Sequence, residues 1–416
     1  MLNKYKPLIA VNLGHFIYCY DYALYASFAW LFSDIIFAGV SAKYSLILSY
    51  ILFSIPYFIT PFGVYFISQL GDKIGRKLVL EISISISIFS SFCIGLIPTY
   101  NDIGIASPIM LMFFRALNGL SFSSEISSVF AMSTEHYIDS KYRYLIGSIA
   151  QINFSLGIGI ATGISLLLSH YLSPEDFKSW GWRIPFLLSG IIGIICFVMR
   201  RNLKESIIFE TIKIKNKFPF KEIFKKCKKV LFFLFSIELL MTLNFYIVNV
   251  FSPSTLLRPH GINTYLILFF NMIVGIILKP LFALYADKFN DRKKIYLIAG
   301  LIMVLIQFPG LYILKTTNSL AIILLVNFIW YGAISAYAAI NTTTFSDVFK
   351  PEIRVTGISI ALSINNIIIN GFLSLIISIL YINYNILATT IFMITTSIIG
   401  LISIYYNKSY IVQNNK

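Results

Sequence analysis

The 416-residue sequence has little charge. Lys, Arg, Asp and Glu supply 12% of it, where a soluble domain carries about 25%. An ordinary water-exposed surface is therefore excluded. Histidine and cysteine are also scarce, four of each. Cys19, Cys93, Cys196 and Cys227 lie far apart with no metal-ligand spacing, and the histidines are scattered, so no metal centre or catalytic site built on them is expected. No G-x-x-x-x-G-K-[S/T] loop occurs, so the chain itself does not hydrolyse ATP to drive work. The stretch GIGIATG (Gly157 to Gly163) breaks the G-x-G-x-x-G pattern at Thr162 and sits inside an apolar run. Its Gly159 and Gly163 read as helix-packing positions. No enzyme activity and no cofactor is expected. The start of the chain lacks the charged, apolar and small-residue order of a cleaved leader, so the first apolar run is expected to be retained.

What is present is apolar sequence. Apolar types make up 57%, and mean hydropathy is +0.80. Twelve apolar runs cover 8–32, 44–68, 78–98, 103–131, 144–168, 182–199, 231–251, 262–285, 295–314, 319–345, 355–381 and 385–406. A helix needs about 20 residues to cross a bilayer's hydrocarbon core, so the expected class is an all-α membrane protein with twelve transmembrane helices. The fourth and tenth runs are long enough to be tilted or to extend beyond the bilayer.

Twelve spans place both termini on one side. Of the 33 Lys and Arg, Lys43, Lys178, Arg183, Arg258 and Lys315 fall in the loops of the opposite side, and Arg115 and Lys279 fall within spans. All the others lie with the termini, which the positive-inside rule makes cytoplasmic. The net charge of +15, dispersed over short loops, suits an anionic inner leaflet and gives no sign of a nucleic-acid partner.

The longest polar stretch, Arg200 to Lys229, divides the chain into a six-helix half (1–199), a central cytoplasmic loop (200–229) and a second six-helix half (230–416). The charged segment SQLGDKIGRK (Ser68 to Lys77) falls between helices 2 and 3. A looser copy, YADKFNDRKK (Tyr285 to Lys294), falls between helices 8 and 9. Asn290 replaces Gly75 in it, and Asp291 is inserted. The halves therefore read as two copies of one unit.

These features together resemble the major facilitator superfamily, whose motif A runs roughly G-x-L-x-D-[RK]-x-G-R-[RK]. GHFIYCYDYALYASFA (Gly14 to Ala29), RALNGLSFSSE (Arg115 to Glu125) and WGWRIPFLLSG (Trp180 to Gly190) narrow the resemblance to the metabolite:proton symporter family. The last of these is the most specific match. The resemblance implies the major facilitator fold and alternating access in the inner membrane. It implies proton-coupled import of a small polar metabolite by a chain that works as a monomer. Osmolytes such as proline and betaine come first, and di- or tricarboxylates such as 2-oxoglutarate and citrate second. A receptor that binds without transporting is the reading from a different class. Departures from the family pattern bear on specificity: Tyr18 stands in the place of a glutamate, Thr60 in that of an arginine, and serines around Glu125 in that of glycines.

In motif A, Asp72 is expected to hold a helix end and Arg76 to fork onto a carboxylate. The resemblance assigns Gly71, Asp72, Gly75 and Arg76, with Asp287 and Arg292 in the second copy, to a latch between the halves. Ionisable residues within spans are hypotheses about ion or substrate paths. Asp21, Tyr18, Tyr22 and Tyr25 share a helical face, as a proton or cation site would require, or as a structural Asp21–Arg115 pair would. Arg115 is a fixed counter-charge or a carboxylate anchor. Glu125 and Glu238 are further proton candidates. Lys279 is expected to snorkel to the cytoplasmic end of its helix, and Trp180 and Trp182 to anchor the interface. Asn365, Asn366 and Asn370 line a polar helix 11.

Overall fold

The computed structural model describes residues 2–406 apart from 38, 40, 41, 213–215, 217 and 258–261; Arg258 lies outside the described residues, as does the Lys43 side chain. Among the described residues every element is helical, in twelve long segments. Helix α1 is Leu2–Ile35. Helix α2 is Ala42–Gly63 and continues through a π-helical turn, Val64–Ser68, into Gln69–Lys73. Then follow α3 (Arg76–Leu96), α4 (Ala106–Glu135), α5 (Arg143–Tyr171) and α6 (Pro174–Arg201). The second half holds α7 (Lys228–Leu257), α8 (Thr264–Phe289), α9 (Arg292–Thr316) and α10 (Leu320–Val348). It ends with α11 (Arg354–Asn365, prolonged through Asn366–Leu373 and Ser374–Asn383) and α12 (Ile386–Tyr406). An all-helical plan is what lipid demands, since each backbone polar group is satisfied within its own segment.

Nine of the twelve are long and apolar enough to cross a membrane by length and composition among the described residues. Helix α4 falls short because serines, Arg115 and Glu125 dilute it, and almost all of these face inward. The outward faces carry side chains such as Phe113, Ile195 and Leu305, each more than half exposed. Such a surface fits lipid and not water. Helices α4 and α10 have 30 and 29 residues. At about 1.5 Å per residue they outrun a hydrocarbon core of about 30 Å, and their ends project into the polar zone.

The central polar stretch is shorter than its sequence suggests, because Arg200 and Arg201 complete α6. Two short helices follow, Ile207–Thr211 and Pro219–Lys226. Arg200 is fully buried, so it is not a loop charge. Trp182 is likewise no interfacial anchor. It is fully buried and packs edge-on against Phe32, with ring centroids 5.4 Å apart, while Trp180 is exposed. In α5, Gly157 and Gly159 are close-packed. A Cβ on Gly159 would stand 1.7 Å from Met272 Sδ of α8, whereas Gly163 faces open space.

Candidate functional site: an aromatic cavity and two interhelical latches

Asp21 sits in the body of α1, buried. Ser87 and Ser91, one turn apart on α3, both donate to Asp21 Oδ2, at 3.1 and 2.6 Å. Neutral hydroxyls thus hold this carboxylate, and Arg115 is not its hydrogen-bond partner. Arg115 extends from α4 over the Tyr25 ring, 3.9 Å from guanidinium carbon to centroid. Asp21 and Arg115 nevertheless line one small cavity with Tyr18, Tyr22, Tyr57 and Phe122. Tyr22 and Tyr57 share a 2.7 Å hydrogen bond between hydroxyls. Phe122 stands edge-on to Tyr18 and Tyr57, at 5.5 and 5.8 Å. Aromatic faces beside one carboxylate and one guanidinium can hold a cationic group by its charge and by cation–π contact.

The sequence brings Tyr18, Asp21 and Tyr22 to this cavity, while Tyr25 is buried beneath Arg115. It gives no sign of Tyr57, which arrives from α2 by packing alone. Phe122 was legible in principle, because Arg115, Asn118 and Phe122 recur at three and four positions on one face of α4. The serines of α3 were missed because alternating Ser and Ile from Ser83 to Ile88 masks the four-residue spacing of Ser83, Ser87 and Ser91 that puts them on one face.

Glu125 belongs to a separate site. Arg200 clamps both of its oxygens, at 2.5 and 2.9 Å, and donates also to the main-chain oxygens of Leu80 and Val11. Both side chains of the pair are buried. Gly14 makes the room, since a Cβ there would stand 2.4 Å from Arg200 Cζ. Glu238 accepts from Asn341 at 2.6 Å and from Thr242 at 3.2 Å, and Asn365 in turn donates to Thr242 at 3.2 Å. Asn370 donates to Asn366 within α11 at 2.9 Å. Lys279 does not snorkel. It is buried, and its amine is directed to α5.

The loop signature builds two matching latches. Asp72 accepts from the backbone N–H groups of Val355 and Thr356, at 3.1 and 2.8 Å. These are the first free donors of α11, where an anion meets the helix dipole. Burial pushes the Asp72 carboxyl above its ordinary value, while Arg76 and the helix-end donors pull it back. Arg76 donates to Gly71 O (3.0 Å), to Glu135 at the end of α4 (3.2 Å) and to Pro351 O across the halves. Arg354 of α11 reaches the same Glu135 at 2.7 Å. Gly71 is close-packed, since a Cβ there would meet Val355 at 2.8 Å.

In the second copy Asp287 accepts from Tyr144 and Leu145 N–H groups at the start of α5, at 2.7 and 3.0 Å. Arg292 donates to Asp347 at the end of α10, at 2.9 Å, and Arg143 of α5 pairs with the same carboxylate. Glu135 and Asp347 are thus equivalent, as are Arg354 and Arg143; the sequence motif named none of the four. The loose match at Asn290 has a conformational reason. Asn290 adopts φ 49°, left-handed, and Gly75 adopts φ 152°, so each copy keeps a residue that tolerates positive φ.

A model of the Major Facilitator Superfamily matches residues 11–368 and 234–412. The chain belongs to the major facilitator superfamily. It is therefore a multi-pass membrane transporter and not an enzyme. The inner membrane metabolite transport protein YhjE of Escherichia coli K12 is 31% identical over 384 residues, covering 88% of this chain and 85% of that one. The proline/betaine transporter of the same organism is 26% identical over 416 residues, covering 96% and 82%. Among solved structures, the proton:xylose symporter XylE bound to 6-bromo-6-deoxy-D-glucose superposes with a TM-score of 0.80 at 14% identity, over 97% of this chain and 95% of that one. This last likeness is one of fold.

Proposed function

We propose that this major facilitator chain is a proton-coupled symporter that imports a small zwitterionic osmolyte of the proline or betaine class. One observation carries the reading. A buried carboxylate, Asp21, accepts from the neutral hydroxyls of Ser87 and Ser91 and is in no ion pair among the described residues, and it opens onto an aromatic cavity that also contains a guanidinium. Such a carboxylate can gain and lose a proton without breaking an ion pair. Arg115 stays charged throughout and keeps the cavity from carrying net negative charge. Tyr18, Tyr22 and Tyr57 offer ring faces to a substrate's cationic end. Glu125 has a structural partner on both oxygens and is the weaker carrier. Glu238, with Asn341 and Thr242, is the reserve proton site of the second half. The names of the proline/betaine relatives support the substrate class.

In this reading both termini and the two latches face the cytoplasm, and the chain acts as a monomer. The latches hold that side shut and part when the halves rock about the central site. The test is uptake of labelled proline and betaine into proteoliposomes under an imposed pH gradient. Wild type is expected to accumulate substrate. Asp21→Asn should lose accumulation but keep exchange at equal concentrations, because exchange moves no net proton. Normal accumulation by Asp21→Asn removes Asp21 from coupling, and failure of the wild type to take up either substrate removes the substrate class.

A further inference from the structure

Lys279 lies in the body of α8 with its side chain buried. Its amine donates to Gln151 O at 2.6 Å and to Ser155 Oγ at 2.7 Å. Both acceptors are neutral, and both belong to α5 of the opposite half. An ammonium has three donors, and two of them rest on these acceptors. No ion pair among the described residues includes Lys279. Glu238, another charged side chain buried in the second half, is turned to Asn341 and Thr242. In the first half the interior charges come in opposite signs together: Glu125 is bonded to Arg200, and Asp21 shares a cavity with Arg115. Among the described residues Lys279 has no such counterpart.

The seam around it is built for close approach. Gly275 precedes Lys279 by one turn, and a Cβ there would stand 2.6 Å from Ser155 Oγ. The same hydroxyl meets Tyr331 OH at 3.3 Å. Burying an ammonium on neutral acceptors is costly. A lysine placed where two halves must separate is free to change partners as they do.

We propose that Lys279 is the anion-binding residue of the transport pathway, resting on Gln151 and Ser155 while the seam is closed and taking the carboxylate of a small substrate when α5 and α8 part. This deepens the osmolyte reading and rests on it. The first half would receive the cationic end at Asp21 and the tyrosines, and the second half would receive the acid. A substrate held at both ends couples the halves, and a ligand lacking either end does not.

The experiment uses the purified full chain and matched ligand pairs: glycine betaine against choline, and proline against its methyl ester. Thermal unfolding is followed at rising ligand concentration. Wild type should be stabilised by the acids and much less by choline or the ester. Lys279→Gln should weaken the acids by about tenfold or more, the scale of one lost charged hydrogen bond, and leave choline and the ester unchanged. Ser155→Ala removes one of the two resting partners, keeps Lys279 itself and should strengthen acid binding alone, which keeps the idea testable if Lys279→Gln does not fold. Equal stabilisation of wild type by acids and their partners overturns the inference, as does no stabilisation by any acid. Acid binding unchanged in Lys279→Gln, or in Ser155→Ala, also overturns it. Uptake separates the two proposals. Osmolyte uptake with no preference for acids would defeat Lys279 and leave the transporter reading intact. Acid-selective stabilisation without proline or betaine uptake would defeat the osmolyte reading and leave Lys279 an acid-binding residue with no part in osmolyte transport.

Discussion

Glu125 illustrates how one side chain changes meaning once its partner is known. Alone in an apolar run, it reads as a proton site. With Arg200 on both oxygens it reads as a structural pair, fully withdrawn from solvent. Breaking a buried pair by removing one partner costs about 3–5 kcal/mol, whereas replacing both by well-packed apolar groups is often neutral. Glu125→Gln and Arg200→Met should therefore each lower the unfolding midpoint in detergent strongly, and Glu125→Leu with Arg200→Met should restore most of it. Single variants as stable as wild type would remove the structural role and return Glu125 to the list of carriers. Gly75 is a second case at this scale. Its φ of 152° and the Glu205 oxygen, 2.1 Å from where a Cβ would stand, leave no space for a side chain. Gly75→Ala should destabilise the start of α3, where Glu205 accepts from the Arg76 and Lys77 N–H groups. Faster limited proteolysis after Lys73 or Lys77 would register the loss.

At the scale of elements, each latch is a helix end caught by a carboxylate of the other half. Asp72 holds the start of α11, and Asp287 holds the start of α5. A charge at a helix N-terminus is worth about 0.3–1 kcal/mol when exposed and up to about 2 when partly buried. Asp72→Asn and Asp287→Asn should each make a cysteine placed near the latches more reactive to a membrane-impermeant maleimide, and the double variant more so. The two sites share no partner, so their effects should add. Expression should persist, because Asn keeps each side chain's shape and its amide oxygen can still accept from a helix-end N–H. Unchanged labelling in the double variant would mean that these carboxylates only anchor topology.

At the scale of the molecule, the bonds between halves run from the latches to mid-depth. Thr60 Oγ1 meets Ser363 Oγ at 2.7 Å, and Ser359 reaches Ser127 at 2.6 Å. Alternating access requires these contacts to part. In a background lacking Cys19, Cys93, Cys196 and Cys227, Thr60→Cys with Ser363→Cys should crosslink on oxidation. Uptake should then stop, and a reductant should restore it. Full uptake by the crosslinked protein would exclude separation of α2 from α11 during transport.

Period and polarity are local properties, so the sequence alone determined the class, the number of spans and the repeat. Length and hydropathy fix a bilayer helix with little help from neighbours. Two charged segments at matching places mark two copies, and the face Tyr18–Asp21–Tyr22 follows from helical spacing. The tertiary structure alone decided which charges meet. Arg200 reads as a loop cation until the end of α6 is folded against α4. Tyr57, Glu135, Asp347 and Gln151 carry no spacing that names their partners, because those partners lie on other helices. Lys279 has a snorkelling pattern in sequence and a bond across the halves in space. In a membrane interior the cost of an unsatisfied charge fixes that a partner exists, and only the packing of distant helices fixes which one.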